Sequence, residues 1–143
     1  MATAERLSIV VFSGNYDRVH YALAAAAAAA AVNRPVTLFF TMGGLRALTR
    51  PEQGQPGWAA LLADENGQPP LVRDIHYTEN GIGGFEELLT ACTELGVAFM
   101  VCEMGLRAIG LARMDLRDDL PVTEGGLVTF LGGASKDGVT LFI

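Results

Sequence analysis

The chain contains four short, continuously apolar runs that are typical of buried strands. They are residues 7–12, 36–40, 97–101 and 139–143. The runs contain many β-branched and aromatic residues and show no alternation with polar ones, which is typical of strands covered on both faces of a parallel sheet. We therefore predict four parallel strands.

The segment between the first two runs predicts a long helix. Ser13 and Asn15 are favourable N-cap residues, and positions 24–31 are all alanine, the residue with the highest helix propensity. Pro35 cannot continue a helix, so strand, helix and strand follow with short connections. This βαβ unit predicts one α/β domain over residues 1–143, with a doubly wound, mostly parallel sheet and helices on both faces.

Two further helices are predicted nearer the C-terminus. Apolar residues recur at the spacing of an amphipathic helix over residues 85–95, and Cys92 lies on the apolar side of that stripe. We therefore expect Cys92 to be a core residue. Thr123 is a favourable cap, which predicts a helix over residues 124–131 that ends at Gly132.

Residues 49–81 predict a mostly irregular stretch, because they contain four prolines and several glycines. Within the stretch, residues 58–63 favour about two helical turns. A loop of this length inside a compact domain is often a lid or an oligomer contact. A tolerated surface insertion is the other interpretation.

Composition narrows the classes of function. Half of the 143 residues are apolar, the net charge is −6, and lysine and arginine do not cluster, so nucleic acid is not expected as a partner. The longest apolar stretch, 21–32, is too short for a membrane span. The two cysteines form neither a Cys-x-x-Cys pair nor a zinc pattern, which favours a reducing cytoplasm and no metal.

Candidate chemistry lies at the carboxyl ends of the predicted strands, where open parallel sheets bind ligands. The turns at these ends carry the candidate binding residues Ser13, Gly14, Asn15, Thr41, Met42, Gly43, Glu103, Met104 and Gly105. Among side chains able to act as nucleophiles, we single out Cys102, because it follows a strand and begins a helix. Backbone N–H groups at a helix start favour a thiolate.

Other interpretations of these residues stay open. Cys102 is equally compatible with a small, inert core side chain, and Glu103 beside it opposes a thiolate. His20 and His76 are expected at the surface or the rim of the site, because a Cys-His pair would need a tertiary contact that the sequence does not show.

The residues around Cys102 resemble a known family. A strand that ends in cysteine, followed by residues 104–111 (MGLRAIGL), is similar to the cysteine motif of the DsrE/DsrF-like sulfur-relay family. Residues 9–14, 39–45, 124–131 and 139–143 are similar to that family too. The resemblance implies a doubly wound α/β fold and a homo-oligomer.

The resemblance also implies an activity. By position, Cys102 would carry sulfur as a persulfide between donor and acceptor proteins, without a bound cofactor. We therefore expect a cytoplasmic sulfur carrier of the sulfurtransferase type. The alternative is a non-catalytic oligomeric module that binds a small anion or a protein partner at its glycine-rich strand ends.

Overall fold

Five parallel strands form one sheet within residues 5–134 and 136–143, the part of the chain that the computed structural model describes. The strands are β1 (Leu7–Val11), β2 (Val36–Phe40), β3 (Ala98–Cys102), β4 (Val122–Gly125) and β5 (Val139–Phe142). Their order across the sheet is β4-β3-β2-β1-β5, and all neighbouring pairs are parallel. The predicted α/β class is confirmed.

Helices connect these strands. The α-helices of the described residues are α1 (Tyr16–Ala31), α2 (Pro70–Glu79), α3 (Phe85–Glu94), α4 (Glu103–Ala108) and α5 (Leu127–Gly133). Short 3-10 helices cover Met42–Leu48, Gly57–Ala60 and Arg113–Asp115. Helix α1 begins as predicted, because the side chain of Asn15 accepts a hydrogen bond from the N–H of Arg18. None of the helices described has the length and apolar character that crossing a membrane requires.

The two faces of the sheet are covered unequally. Successive residues of a strand point to opposite faces, so Ile9 and Val11 face one way and Val10 the other. Ile9 and Val11 pack with buried residues of α1 and α3 into the main core. Val10 lies in a smaller cluster, with Phe130 of α5. We call these two sides the main-core face and the Cys102 face, since Cys102 belongs to the smaller cluster.

The region after residue 120 corrects two expectations. Residues 122–125 form strand β4, where a helix was predicted from residue 124, so the sheet has five strands and not four. Val122 and Thr123 pair with Phe99 and Met100 of β3. Because β4 is a short edge strand with half-exposed side chains, it lacks the apolar run that revealed the others. The helix starts later, after Gly126.

The stretch 49–81 is also more regular than predicted. Its second half contains the ten-residue helix α2, while the expected turns at 58–63 are the 3-10 helix Gly57–Ala60. Two adjacent prolines indicated a loop, but Pro70 occupies the first turn of α2, where a missing N–H costs nothing.

An ion-pair network anchors this stretch to α3. Trp58 is buried, and its Nε1–H donates to Glu86 Oε1 at 3.0 Å. The guanidinium of Arg117 donates to both oxygens of Glu86, at 2.7 and 3.0 Å, and also to Asp119. Arg117 is the main cause that holds the pKa of Glu86 below its ordinary value, and the indole of Trp58 adds to this effect.

Replacing Glu86 with glutamine is expected to lower the free energy of unfolding by about 1 kcal/mol at neutral pH, a modest value because solvent screens this half-exposed carboxylate. The lowered pKa means that the carboxylate stabilises the fold above its unfolded-state pKa. This contribution disappears as pH falls through the folded-state pKa. Urea unfolding at decreasing pH should therefore show the two proteins converging in acid.

Glu87→Gln is the matched control, because Glu87 is the neighbouring exposed residue in the same first turn of α3. It should change stability by less than about 0.5 kcal/mol. A Glu86→Gln deficit that is the same at neutral and acid pH would rule out the ion pair as its source.

Candidate functional site

Cys102 lies at the junction of a strand and a helix. It is the last residue of β3 and the N-cap of α4, and its Sγ accepts a hydrogen bond from the N–H of Gly105 at 3.4 Å. The thiol thereby pairs with a backbone donor that the first turn of the helix leaves unsatisfied. The predicted position of Cys102, at a strand end and a helix start, is confirmed.

The thiol of Cys102 is covered by apolar side chains. Cys102 is only 1% exposed and packs in one cluster with Val10, Phe39 and Phe130, with Met100 against the edge of the cluster. The rings of Phe39 and Phe130 are stacked, with centroids 4.6 Å apart. Any reagent that reacts with Cys102 must therefore displace part of this cluster.

The turns after β1, β2 and β3 pack against one another through glycine. A Cβ added at Gly105 would lie 2.5 Å from Thr41 Oγ1 and 2.9 Å from the backbone nitrogen of Met42. A Cβ at Gly44 would overlap the backbone carbonyl of Val11. No side chain fits at either position, so these glycines bring the three strand ends into direct contact.

These contacts divide the predicted binding residues into two groups. The first group meets the turn that Cys102 caps: Thr41, Met42 and Gly105. The second lines a cavity of about 450 Å³ at the carboxyl ends of β1 and β5: Ser13, Gly14 and Gly43. The structure does not gather all of the predicted residues into one pocket.

The remaining predicted residues have other roles or face solvent. Asn15 caps α1, and its Nδ2 donates to the carbonyl of Ala63 at 2.8 Å, so its side chain is already engaged. Glu103 is exposed and pairs with Arg107 at 3.6 Å, one turn along the helix. Met104 is half exposed.

Sequence reasoning missed the apolar surroundings of the thiol. Met100 of β3 lies opposite Phe39, which lies opposite Val10, so the three form a row across the sheet. Strand alternation places this row on the same face as Cys102, and a predicted register would have found it. No sequence signal places Phe130 there, because Phe130 belongs to α5, which is distant in sequence from Val10 and Phe39.

Cys92 contrasts with Cys102. It is fully buried in the main core, and its Sγ donates to the carbonyl of Leu23 at 3.4 Å. Burial raises the pKa of this thiol to about 11, which keeps it protonated at neutral pH. The prediction that Cys92 is a core residue is confirmed.

The expectation for His20 was wrong. His20 is buried, its ring stacks on Tyr77 with centroids 4.3 Å apart, and its Nε2 lies 2.8 Å from the carbonyl oxygen of Gly83. The sequence placed it one turn into α1 but did not reveal that α2 would cover that turn. His76 is exposed, as expected.

Arg73 of α2 pairs with two acidic side chains. Arg73 Nε lies 3.0 Å from Asp17 Oδ1 and 3.5 Å from Asp64 Oδ2. Across residues 5–134 and 136–143, no three His, Cys, Asp or Glu side chains assemble into a group that could hold a metal ion.

Comparisons with known proteins agree with the fold described above. A sequence profile of the DsrE/DsrF/DrsH-like family matches residues 3–61, which confirms the resemblance noted in the sequence. The match ends before Cys102. A curated relative, the uncharacterized protein YrkE of Bacillus subtilis, is 28% identical over 158 aligned residues and covers 97% of both chains.

Two solved structures share the fold along nearly the whole chain. A protein of unknown function from Methanobacterium thermoautotrophicum, MTH1491, has a TM-score of 0.58 and covers 97% of this chain and 99% of its own. The ychN protein of E. coli has a TM-score of 0.54 with the same coverage. Both are 16% identical to this chain, so the likeness concerns the fold alone.

Replacing Gly44 with alanine is expected to lower the free energy of unfolding by about 3 kcal/mol or more, because the new Cβ would overlap a backbone carbonyl that cannot move aside. Gly132→Ala is the control, since a Cβ there meets nothing within 4 Å, and it should change stability by less than about 1 kcal/mol. Equal stability of the two variants in urea unfolding would disprove the close packing of the strand ends.

Proposed function

Because residues 3–61 match the DsrE/DsrF/DrsH-like family profile, we propose that the chain is a sulfur carrier that holds sulfane sulfur as a persulfide on Cys102. The observation that carries the proposal is the position of Cys102 at the end of β3 and the start of α4, with its Sγ hydrogen-bonded to the N–H of Gly105. Among the described residues, a backbone N–H group is directed at the sulfur of Cys102 and none at that of Cys92.

The proposed chemistry is thiol exchange and needs no oxidant. The thiolate of Cys102 attacks the outer sulfur of a donor persulfide, an S–S bond forms on Cys102, and the donor leaves as its thiolate. In the second step, an acceptor thiolate attacks the outer sulfur on Cys102, which releases the Cys102 thiolate. The N–H of Gly105 stabilises the sulfur anion at the beginning and the end of this cycle.

The predicted binding residues enter the proposal in their two structural groups. Thr41, Met42 and Gly105 form the wall beside the turn of Cys102. Ser13, Gly14 and Gly43 line the neighbouring cavity, and the exposed side chain of Arg18 lies in the same cavity. We propose this cavity as the place where a donor or acceptor group approaches the strand ends.

Exposed apolar side chains are the observation from which we propose protein partners, including further copies of this chain. Phe142 of β5 is 70% exposed and Phe12, which follows β1, is 44% exposed, and their rings contact each other with centroids 5.3 Å apart. A group of exposed apolar residues of this kind is typical of an interaction surface. We propose that the carrier is a homo-oligomer of the cytoplasm, where its thiol stays reduced.

The burial of Cys102 favours a second candidate function. A thiol that is 1% exposed fits a non-catalytic module in which the cysteine is core and the strand ends hold an anion or a partner. The two functions differ in whether the sulfur of Cys102 takes part in exchange.

Incubation with inorganic polysulfide is expected to add the mass of one sulfur atom to the protein, observed by intact-mass spectrometry. Cys102→Ser should abolish this adduct, because it removes the attacking sulfur. Cys92→Ser should leave it unchanged, since the raised pKa of Cys92 keeps that thiol protonated. Subsequent addition of a small thiol should remove the added sulfur.

The two cysteine variants are matched in size and chemistry, and both replaced residues are buried. Adduct formation that is equal in Cys102→Ser and wild type would reject Cys102 as the carrier. A wild-type protein that takes up no sulfur would favour the binding module.

A further inference from the structure

We infer that helix α5 is a gate over Cys102, and that its opening admits the sulfur donor and the acceptor. The inference rests on the proposed function of Cys102 and adds how access to that thiol is regulated. Exchange requires a sulfur atom of the reactant to reach Sγ of Cys102 within bonding distance. The thiol is only 1% exposed, so its cover has to open before exchange takes place.

The attachment of α5 to the sheet is slight. Within Leu127–Gly133, all of which is described, Phe130 is the buried residue. Its ring stacks on Phe39 and belongs to the cluster that contains Cys102. The outer residues of the helix, Val128 among them, face solvent. One side chain therefore closes this part of the Cys102 face.

The ends of α5 allow it to move. Gly126 follows the last residue of β4 and is the N-cap of the helix without a side chain to cap it, and Gly132 and Gly133 form the last turn. Glycine has the greatest backbone freedom and the lowest helix propensity apart from proline. A seven-residue helix with such ends has little stability of its own, so its packing through Phe130 maintains the closed state.

The other face of the sheet provides an internal reference. Cys92 is equally buried, but it lies under α1, which spans sixteen residues and contributes seven buried side chains, His20 included. Exposure of Cys92 requires the main core to open. Opening of the gate transfers one phenylalanine side chain to water, so the gate is open in roughly one molecule in 100. Opening of the main core is rarer by many orders of magnitude.

Thiol labelling of the whole protein with iodoacetamide, read by peptide mass spectrometry, tests the gate without requiring sulfur transfer. Cys102 is expected to react much faster than Cys92, at a rate that low concentrations of urea hardly change, because a local opening exposes little surface. Phe130→Ala should raise the rate at Cys102 by about 10- to 100-fold and leave the rate at Cys92 unchanged.

Phe99→Ala is the matched control. Phe99 is a buried phenylalanine on the same strand as Cys102, but it belongs to the main core and stacks on Phe40. Its loss should destabilise the whole domain and raise labelling at both cysteines together. If Phe130→Ala also raises both rates equally, the gate is overturned and Phe130 is an ordinary core residue.

Gly132→Ala gives a test in the opposite direction and is needed if Phe130→Ala does not fold. A Cβ at this position meets no neighbour, and alanine strengthens the helix, so the rate at Cys102 should fall by about fivefold. An unchanged rate would overturn the gate. Sulfur uptake that is insensitive to both α5 variants would overturn it too, while loss of uptake with the labelling pattern intact would reject the carrier and keep the gate.

Discussion

The parallel sheet has to be covered on both faces, and the structure satisfies this requirement unequally. Alternate residues of a strand point to opposite faces of the sheet. Helices α1 and α3 pack on one face, whereas α5 contributes one buried side chain to the other. The stability of the domain therefore resides on the main-core face. The site follows from the same asymmetry, because alternation at the end of β3 sends Val101 into the main core and Cys102 to the thinly covered face.

The two cysteines have the same thiol group, but their positions in the fold give it different partners. Cys92 lies in the last turn of α3, pairs with a carbonyl oxygen and has a raised pKa because it is buried. Cys102 caps a helix and pairs with an N–H group. A carbonyl partner favours the neutral thiol, whereas an N–H partner favours sulfur that carries negative charge. The sulfur-carrier proposal depends on this difference in polarity, since both residues are buried.

Elements with a strong local pattern could be predicted from the sequence, and elements defined by tertiary contact could not. The buried run of β2 and the stripe of α3 carry their own periodicity, and both were predicted within a residue or two. Strand β4 escaped because an edge strand of four residues buries too little to leave a pattern. Helix α2 escaped because its prolines indicated a loop.

The same division applies to the site. The strand-end turns follow from topology, so Thr41, Gly43 and Gly105 could be predicted as neighbours of strand ends. The cover supplied by Phe130 depends on how α5 crosses the sheet, and the burial of His20 depends on Tyr77 of α2. Each of these contacts joins residues far apart in the chain, and a single sequence holds no local signal for such pairs.

The side chain of Asn15 links α1 to the segment that follows the 3-10 helix Gly57–Ala60. Its amide oxygen caps α1 while its amide nitrogen donates to Ala63. Aspartate caps helices equally well, but an ionised carboxylate has no N–H group with which to donate to the carbonyl of Ala63. The choice of asparagine is thus coupled to the presence of the segment. A chain without this segment would need only a capping residue at this position, so one side chain makes the start of α1 and the docking of the segment depend on each other.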